Sequence, residues 1–303
     1  MNGPTRARVV WRRLRSDRVA FVALCVIVAL VAIAILAPLI VKLVGARPPD
    51  AQSTRYLDAA GQPTGPSSHN LFGTDDLGRD VFSRVLYGAR VSIEVAVLST
   101  ALTMLIGTVI GIVAGFYGGW VDTLLSRVTD IFLAFPVLLL ALGLGAACSQ
   151  GNGCVGGLIQ PGITTVVVVI AIASWPYVAR IVRGQTLSLR EQQFVEAARC
   201  VGASDRRILA RHVLPNLTAQ LLVTATVLLP GVILFEAALS YLGVGVQPPT
   251  ASWGSMISEA TGVFTTAWWF MLAPGIALLI CVLAFNLLGD GLQDALGGHT
   301  RGR

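Results

Sequence analysis

Residues 194–216 read FVEAARCVGASDRRILARHVLPN, a charged stretch in an otherwise apolar chain. The stretch carries six formal charges and a histidine, whereas charged residues make up only 13% of the 303 residues. Helix-forming residues come first, and Gly202 follows at a position where helices commonly end in the left-handed conformation. Ser204 or Asp205 can cap a second short helix, which Pro215 would end. The stretch therefore predicts two short helices joined near Gly202. The second helix is expected to expose both apolar and basic side chains: Ile208, Leu209, Arg206, Arg207 and Arg211.

The sequence around this stretch has the composition of a membrane protein. Its mean hydropathy is +0.74 and 54% of its residues are hydrophobic, whereas soluble domains carry about 25% charged residues. A helix needs about 20 apolar residues to cross a bilayer. We therefore predict an all-α polytopic membrane protein with six transmembrane helices, within the runs 19–44, 91–117, 128–147, 163–179, 217–243 and 268–289.

Basic residues are distributed unevenly between the predicted loops. Sixteen of the 22 fall on the side of the N-terminus, mostly in 6–18 and 180–211. Because cytoplasmic loops carry the excess of Lys and Arg, we expect both termini in the cytoplasm, with an uncleaved first span. This distribution of charge between loops also argues against nucleic-acid binding. The expected division is a basic tail (1–18), the first helix (19–44), an extracytoplasmic loop (45–90), a five-helix core (91–293) with a cytoplasmic loop (184–216), and a cytoplasmic tail (294–303).

The extracytoplasmic loop ends in a segment with helical periodicity. Apolar residues recur at helical spacing along 79–90, and Arg79, Arg84 and Arg90 take the opposite face. This pattern predicts an amphipathic helix in the membrane interface or against neighbouring helices. Nearby carboxylates can neutralise its arginines: Asp75, Asp76 and Asp80.

Several polar residues lie within the predicted spans, where ionisable groups are costly and are often functional. Arg127 can pair with Asp130 one turn later. We expect Glu236 to be shielded from lipid. For Glu236 and Asn286 two interpretations stay open, hydrogen bonding between helices and a place on a transport path. Asn286 opens a polar stripe with a four-residue repeat: Asn286, Asp290 and Asp294.

Two of the five cysteines, Cys148 and Cys154, fall in one predicted extracytoplasmic loop. Glycines lie between them, so the pair can close a disulfide or remain as two thiols. The loop offers too few ligands for a metal site. No P-loop, HExxH, GxSxG or CxxC pattern occurs, and Lys42 is the one lysine in the chain. We therefore expect no enzyme activity and no cofactor in this chain.

The spacing within the opening stretch carries a family resemblance. Glu196-Ala197-Ala198, three residues, Gly202, nine residues and then a segment ending in Pro215 resemble the EAA loop of ABC importer permeases. That pattern reads Glu-Ala-Ala-x3-Gly-x9-Ile-x-Leu-Pro, and this sequence departs from it with His212 in place of Ile. The resemblance covers nearly the whole chain and points to the dipeptide, oligopeptide and nickel branch, in particular its second ("C") subunit. It is carried by GTDDLGRDVFSRVLYGAR, GFYGGWVD, DIFLAFP, FEAALSYLGVGVQPPTASWG and FNLLGDGLQDAL.

The resemblance implies a type I ABC importer permease fold in a bacterial plasma (inner) membrane. It also implies a heterodimer with a homologous permease, two ABC ATPase subunits that bind ATP and Mg, and an extracytoplasmic substrate-binding protein. The surface formed by 247–254 and 79–90 is expected to face either that binding protein or the partner permease. The residues expected to couple to the ATPases are Glu196, Ala197, Ala198, Gly202, Arg206, Arg207, His212, Leu214 and Pro215.

Peptides are the expected cargo of such a permease. Nickel, haem, glutathione or another small solute is the alternative within the same family. A self-sufficient secondary transporter and a membrane enzyme are rivals from other classes, but neither a mid-membrane ion site nor a catalytic constellation is visible in the sequence.

Overall fold

The computed structural model describes residues 12–149 and 162–297. Apart from isolated bridges in the loop before the second long helix, the regular structure in these ranges is helical. The helices are α1 (Arg18–Val44), α2 (Val81–Tyr117), α3 (Gly119–Ala134), α4 (Val137–Ser149), α5 (Ile163–Arg190), α6 (Gln193–Cys200), α7 (Asp205–Ile208), α8 (Leu214–Tyr241), α9 (Trp253–Ala260) and α10 (Trp268–Gly297). A π-helical turn, Leu209–Val213, joins α7 to α8, and a 3-10 turn lies at Thr54–Tyr56.

Five helices are long and apolar enough to cross a membrane, and a sixth span is possible if α3 and α4 form one bent unit. This supports the predicted polytopic helical protein. The third predicted run, 128–147, is divided between α3 and α4, which meet at 88°. Pro136 cannot donate a helical hydrogen bond and disfavours helical geometry at the residue before it. Phe135 accordingly has an extended backbone, with φ −85° and ψ 136°.

Of the two placements predicted for the amphipathic helix at 79–90, the structure shows the one against neighbouring helices. The segment forms the first turns of α2, which runs without a break into the second span. Asp80 caps this helix by accepting a hydrogen bond from the Ser83 N–H at 3.1 Å. Arg79 and Arg84 turn inward and are buried, whereas Arg90 is exposed. An amphipathic pattern shows two different faces, but here the polar face meets partners inside the protein.

Close contact between α2 and α5 forms the centre of the bundle. Gly107, Gly111 and Gly115 face α5 at four-residue intervals, which is a helix-packing pattern of membrane proteins. A Cβ atom added at Gly111 would lie 2.7 Å from the Ala179 carbonyl oxygen. Helices α8 and α10 pack around this pair, and α1 packs on α2 and α10.

Candidate functional site

The stretch quoted first forms a compact turn at one end of the bundle. Gly202 has φ +78°, so the left-handed conformation predicted for this glycine is confirmed. Its N–H donates to the Arg199 carbonyl at 2.9 Å, and the Ala203 N–H donates to the Ala198 carbonyl at 3.0 Å. This pair of bonds is a Schellman motif, which satisfies the last carbonyls of α6 and fixes the exit direction of the chain.

The second helix of the turn differs from its prediction. Ser204 takes the N-cap position with an extended backbone, and α7 follows. Pro215 does not end the helix, because the chain passes through the π-helical turn into α8. There the Leu214 N–H donates to the Leu209 carbonyl, five residues earlier. Proline lacks an N–H and its ring crowds the carbonyl four residues back, and the wider π turn accommodates both features. The stretch therefore holds one short helix and the first turns of a long one.

The inner face of this element is anchored in a hydrophobic cluster. Val195 of α6, Ile208 of α7 and Val213 of the π turn are each fully buried. They pack with Phe116 and neighbouring side chains at the ends of α2, α5 and α8. Ile208 was expected to be exposed on the second helix, and that prediction is wrong. Since α7 lies flat against the bundle, its apolar side faces the cluster and its basic side faces outward.

The outer face presents most of the residues singled out in the sequence. Ala198 is buried and His212 is half-buried, with its ring centroid 6.2 Å from that of Phe194. Val201, which the pattern did not single out, is the most exposed large apolar side chain among the described residues, at 83%. The outer face therefore combines apolar and basic groups. The predicted residues exposed on it are Glu196, Ala197, Gly202, Arg206, Arg207, Leu214 and Pro215.

Glu236 lies at the other end of α8, away from this turn. Its side chain is 0% exposed, which confirms that it is shielded from lipid. The Ser92 hydroxyl donates to one carboxylate oxygen at 3.2 Å, and the Ser240 hydroxyl donates to the other at 2.8 Å. The Ser92 hydroxyl also accepts a hydrogen bond from the backbone N–H of Trp253 at 3.1 Å. Glu236 thus ties α8 to α2 and to the start of α9.

Asn286 lies on an exposed face of α10, unlike Glu236. Asp290 and Asp294 are exposed on the same helix, so the predicted polar stripe is open to a neighbour. Glu236 and Asn286 therefore stand in different surroundings. A place on a transport path stays a prediction for both.

A buried ion cluster joins the loop before α2 to α9. The side chain of Arg79 contacts Asp75 at 2.5 Å and Glu259 at 2.6 Å. Arg84 contacts Asp75 at 2.5 Å and Glu259 at 2.7 Å. The expected acidic partners thus include Asp75, but Glu259 could not be foreseen because it lies more than 170 positions along the chain. Burial raises the pKa of Asp76 beside this cluster, and the Asp75 charge adds to that effect.

Glu259 shows how strongly the cluster holds its charges. Burial alone raises the pKa of this carboxyl, but the hydrogen bonds and charges of Arg84 and Arg79 outweigh it. The pKa of Glu259 therefore lies below its ordinary value. Because each carboxylate faces a guanidinium, this acidic group has the character of a structural tie and not of an open cation site.

Two further ion pairs join α3 to α5. Asp130 accepts from Arg180 at 2.9 Å, and Asp122 accepts from Arg183 at 2.7 Å. The sequence suggested Arg127 as the partner of Asp130, but the structure gives it Arg180 on the neighbouring helix. Both pairs are at least partly exposed, so their contribution to stability is small.

The cysteines are accounted for only in part. Cys148 is disulfide-bonded, whereas Cys25, Cys200 and Cys281 are free thiols. Cys154 lies outside the described residues, so the Cys148–Cys154 bond stays a prediction.

Comparison with known proteins gives consistent matches over the whole chain. Residues 107–302 match the family described as binding-protein-dependent transport system inner membrane component. Residues 5–63 match the N-terminal transmembrane domain of oligopeptide transport permease C. The chain is 38% identical over 289 residues to a dipeptide transport system permease protein of Alkalihalophilus pseudofirmus, covering 95% of this chain and 88% of that protein. It is 41% identical over 292 residues to a glutathione transport system permease protein of Escherichia coli, covering 96% and 90%.

A solved structure supports the fold. The inward-facing methionine ABC transporter MetNI contains a chain that superposes with a TM-score of 0.57 at 20% identity, covering 71% of this chain and 97% of that one. At this identity the likeness concerns the fold alone, and it agrees with the helical architecture described above. The chain therefore belongs to the family of binding-protein-dependent transport system inner membrane components, the permease subunits of ABC importers.

Proposed function

We propose that the outer face of the α6–α7 turn is the docking surface, or seat, for an ABC ATPase subunit. The observation that carries this proposal is the two-sidedness of the turn. Val195, Ile208 and Val213 hold it in the bundle, while small, apolar and basic groups on the opposite face are not covered by any of the residues that the structure describes. An exposed apolar side chain such as Val201, at 83%, favours burial against a partner. A helical element with this composition suits a groove on a soluble protein.

The rest of the proposed assembly follows from this placement. The side of the membrane that carries the α6–α7 turn is cytoplasmic, in agreement with the excess of basic residues there. ATP and Mg are bound and ATP is hydrolysed by the partner ATPases. The exposed polar stripe of α10 that begins at Asn286 would meet a homologous permease in a bacterial plasma membrane. A binding protein would deliver cargo at the opposite side, near 247–254.

The proposed cargo is a short peptide. The relatives named above transport a dipeptide and glutathione, which share peptide bonds and free carboxylates. Asn286 is our candidate for contact with cargo, because it is polar and exposed in the single chain. Glu236 is enclosed by serines and α9. We therefore propose that it holds the helices that line the path in position and does not contact the cargo. Nickel or haem uptake is the alternative that a transport assay would separate.

A paired substitution tests the ATPase seat. Ala197 and Ala60 are both exposed alanines, one on α6 and one in the loop at the other end of the bundle. Ala197→Trp adds bulk to the proposed seat without touching the core, and Ala60→Trp is the matched control. We expect Ala197→Trp to lose ATPase co-purification and dipeptide uptake while membrane insertion is unchanged. Retention of the ATPase in both variants would overturn the proposal.

A further inference from the structure

An apolar groove runs along the outside of the bundle between α1, α2 and α10. It encloses about 420 Å³ and is lined by Leu30 and Ile33 of α1, Phe72 of the loop, and Trp269, Ile276 and Ile280 of α10. Ile276 is 46% exposed and Ile280 is 44% exposed. Because these helices are spans, the groove opens sideways toward hydrocarbon and not toward water.

The length of the groove along α10 matches the thickness of one leaflet of a bilayer. On α10 its lining runs from Trp268 to Ile280, which corresponds to about 18 Å along a helix axis. A bilayer has a hydrocarbon core about 30 Å thick, so one leaflet is about 15 Å deep. Tryptophans stand at the end of the groove that adjoins the loop, as is usual at a membrane interface.

A polar pocket of about 280 Å³ adjoins that end of the groove. Leu71 lines both spaces, and the pocket is otherwise formed by the end of α1 and by Arg47, Tyr56, Ser68 and His69. The Arg47 guanidinium lies 3.8 Å from the Tyr56 ring centroid. Within the described ranges, the lining of this pocket holds no carboxylate.

The Arg47 side chain is held by hydrogen bonds but forms no ion pair with the described residues. Its Nη2 donates to the Asn70 side chain at 3.0 Å, and its Nη1 donates to the Ala51 carbonyl at 3.4 Å. In the described part of the chain its Nε is buried without a partner, and the ion pairs found there do not include Arg47. The Asp80 charge acts on Arg47, but only from beyond ion-pair distance, and one Asp80 oxygen accepts hydrogen bonds from Ser83. Arg47 lines the pocket, and each Nη carries a second N–H beyond the bond just described, so the guanidinium is suited to a phosphate oxygen.

We propose that the groove and the pocket together bind one glycerophospholipid. An acyl chain lies in the groove along α10, and the phosphate accepts hydrogen bonds from Arg47 beside Ser68 and His69. A free phosphate would use only the pocket, and a hydrocarbon tail would use only the groove. The shared wall at Leu71 lets one molecule fill both. The lipid belongs to the leaflet on the side of residues 45–80, and it secures this loop to the spans.

Two independent variants with matched controls test the site in the full-length chain, purified in its complex in mild detergent. Arg47→Gln removes the phosphate partner, and Arg55→Gln changes an exposed arginine of the same loop. Ile276→Trp fills the groove, and Leu279→Trp changes a residue of α10 that is 56% exposed and lies outside the groove lining. Native mass spectrometry counts retained phospholipid, and titration with phosphatidylglycerol gives its affinity. Glycerophosphate serves as the soluble head-group probe.

We expect one retained lipid in the unchanged protein and in both controls. Arg47→Gln should weaken retention about tenfold, the scale of one charge-assisted hydrogen bond, and Ile276→Trp should also weaken it. Equal retention in all five proteins would show bulk, exchangeable lipid and overturn the proposal. Glycerophosphate binding that matches phosphatidylglycerol and ignores Ile276→Trp would show an anion pocket alone, which also overturns it. A folding defect from Arg47→Gln would appear as a lowered melting temperature and leaves the Ile276→Trp comparison decisive.

Discussion

Replacement of Gly202 by valine separates the turn's backbone from its surface. A Cβ at Gly202 would meet no atom of the described chain within 4 Å, so no internal clash arises. The cost to this chain is the left-handed backbone at φ +78°, about 1–2 kcal/mol for an L-residue. Folded proteins are stable by about 5–15 kcal/mol, so the permease should still fold and insert. Asparagine tolerates the left-handed region several-fold better than most residues, and Gly202→Asn is therefore the control.

The assays are ATPase co-purification and dipeptide uptake in membranes that contain equal amounts of each variant. Gly202→Val should reduce both, because a strained turn misplaces α6 relative to α7 and a branched side chain projects from the seat. A normal Gly202→Asn protein would assign the effect to the backbone, and a defective one would show that the partner packs closely on the turn. Single changes at Arg206 or Arg207 should have smaller effects, since exposed ion pairs contribute about 0–1 kcal/mol. Normal association and uptake in Gly202→Val would refute the reasoning.

Three further predictions concern the bundle itself. Arg84→Met should lower the free energy of unfolding by about 3–5 kcal/mol, because it leaves the buried Asp75 carboxylate short of a partner. In a thermal melt, adding Asp75→Asn should recover part of the lost stability. No recovery would contradict the pairing of Arg84 with Asp75. Gly111→Ala should destabilise by about 1–3 kcal/mol through overpacking against α5, whereas Gly231→Ala, which has open space around it, should be neutral or slightly stabilising in the same melt. The pKa of Glu259 lies below its ordinary value of 4.5, so its charge stabilises the fold above about pH 4.5 and that contribution is lost as pH falls through the lowered pKa. Glu259→Gln should therefore melt lower than the unchanged protein at pH 7, and the gap should narrow on acidification; a constant gap would contradict this.

Local sequence signals predicted the helical spans and the left-handed turn, because both depend on neighbouring residues. Runs of apolar side chains must be helical in lipid, and Gly202 supplies the backbone that a Schellman motif needs. Pro136 was equally visible, but its effect was missed because the hydropathy of 128–147 continues across it. Hydropathy indicates whether a segment lies in an apolar environment, but it does not indicate whether the helix bends within that segment.

The remaining differences arise from contacts that no local pattern contains. Arg84 was expected on a polar face, yet it is fully buried because Glu259, far along the chain, completes its ion cluster. Ile208 was expected outside, yet it faces a cluster built from α2, α5 and α8. Periodicity defines two faces of a helix, but tertiary packing decides which one is covered. The π turn before Pro215 likewise answers a conflict that proline creates only when the helix has to continue.

The unbroken course of the chain from α7 through α8 has a mechanical consequence. Asp205–Tyr241 is one helical segment of 37 residues that contains the π turn and Pro230, and an ideal helix of this length measures about 55 Å. One end carries the outer face of the turn, and the other carries Glu236 with its bonds to Ser92 and Ser240. With a fulcrum near mid-length, a tilt of about 10° would move each end by about 5 Å in opposite directions. Such a lever needs no flexible joint at Pro215, since the π turn keeps the arm continuous. A displacement of the α6–α7 turn by a few ångströms would therefore move Glu236, with its serine hydrogen bonds, by a similar distance in the opposite direction.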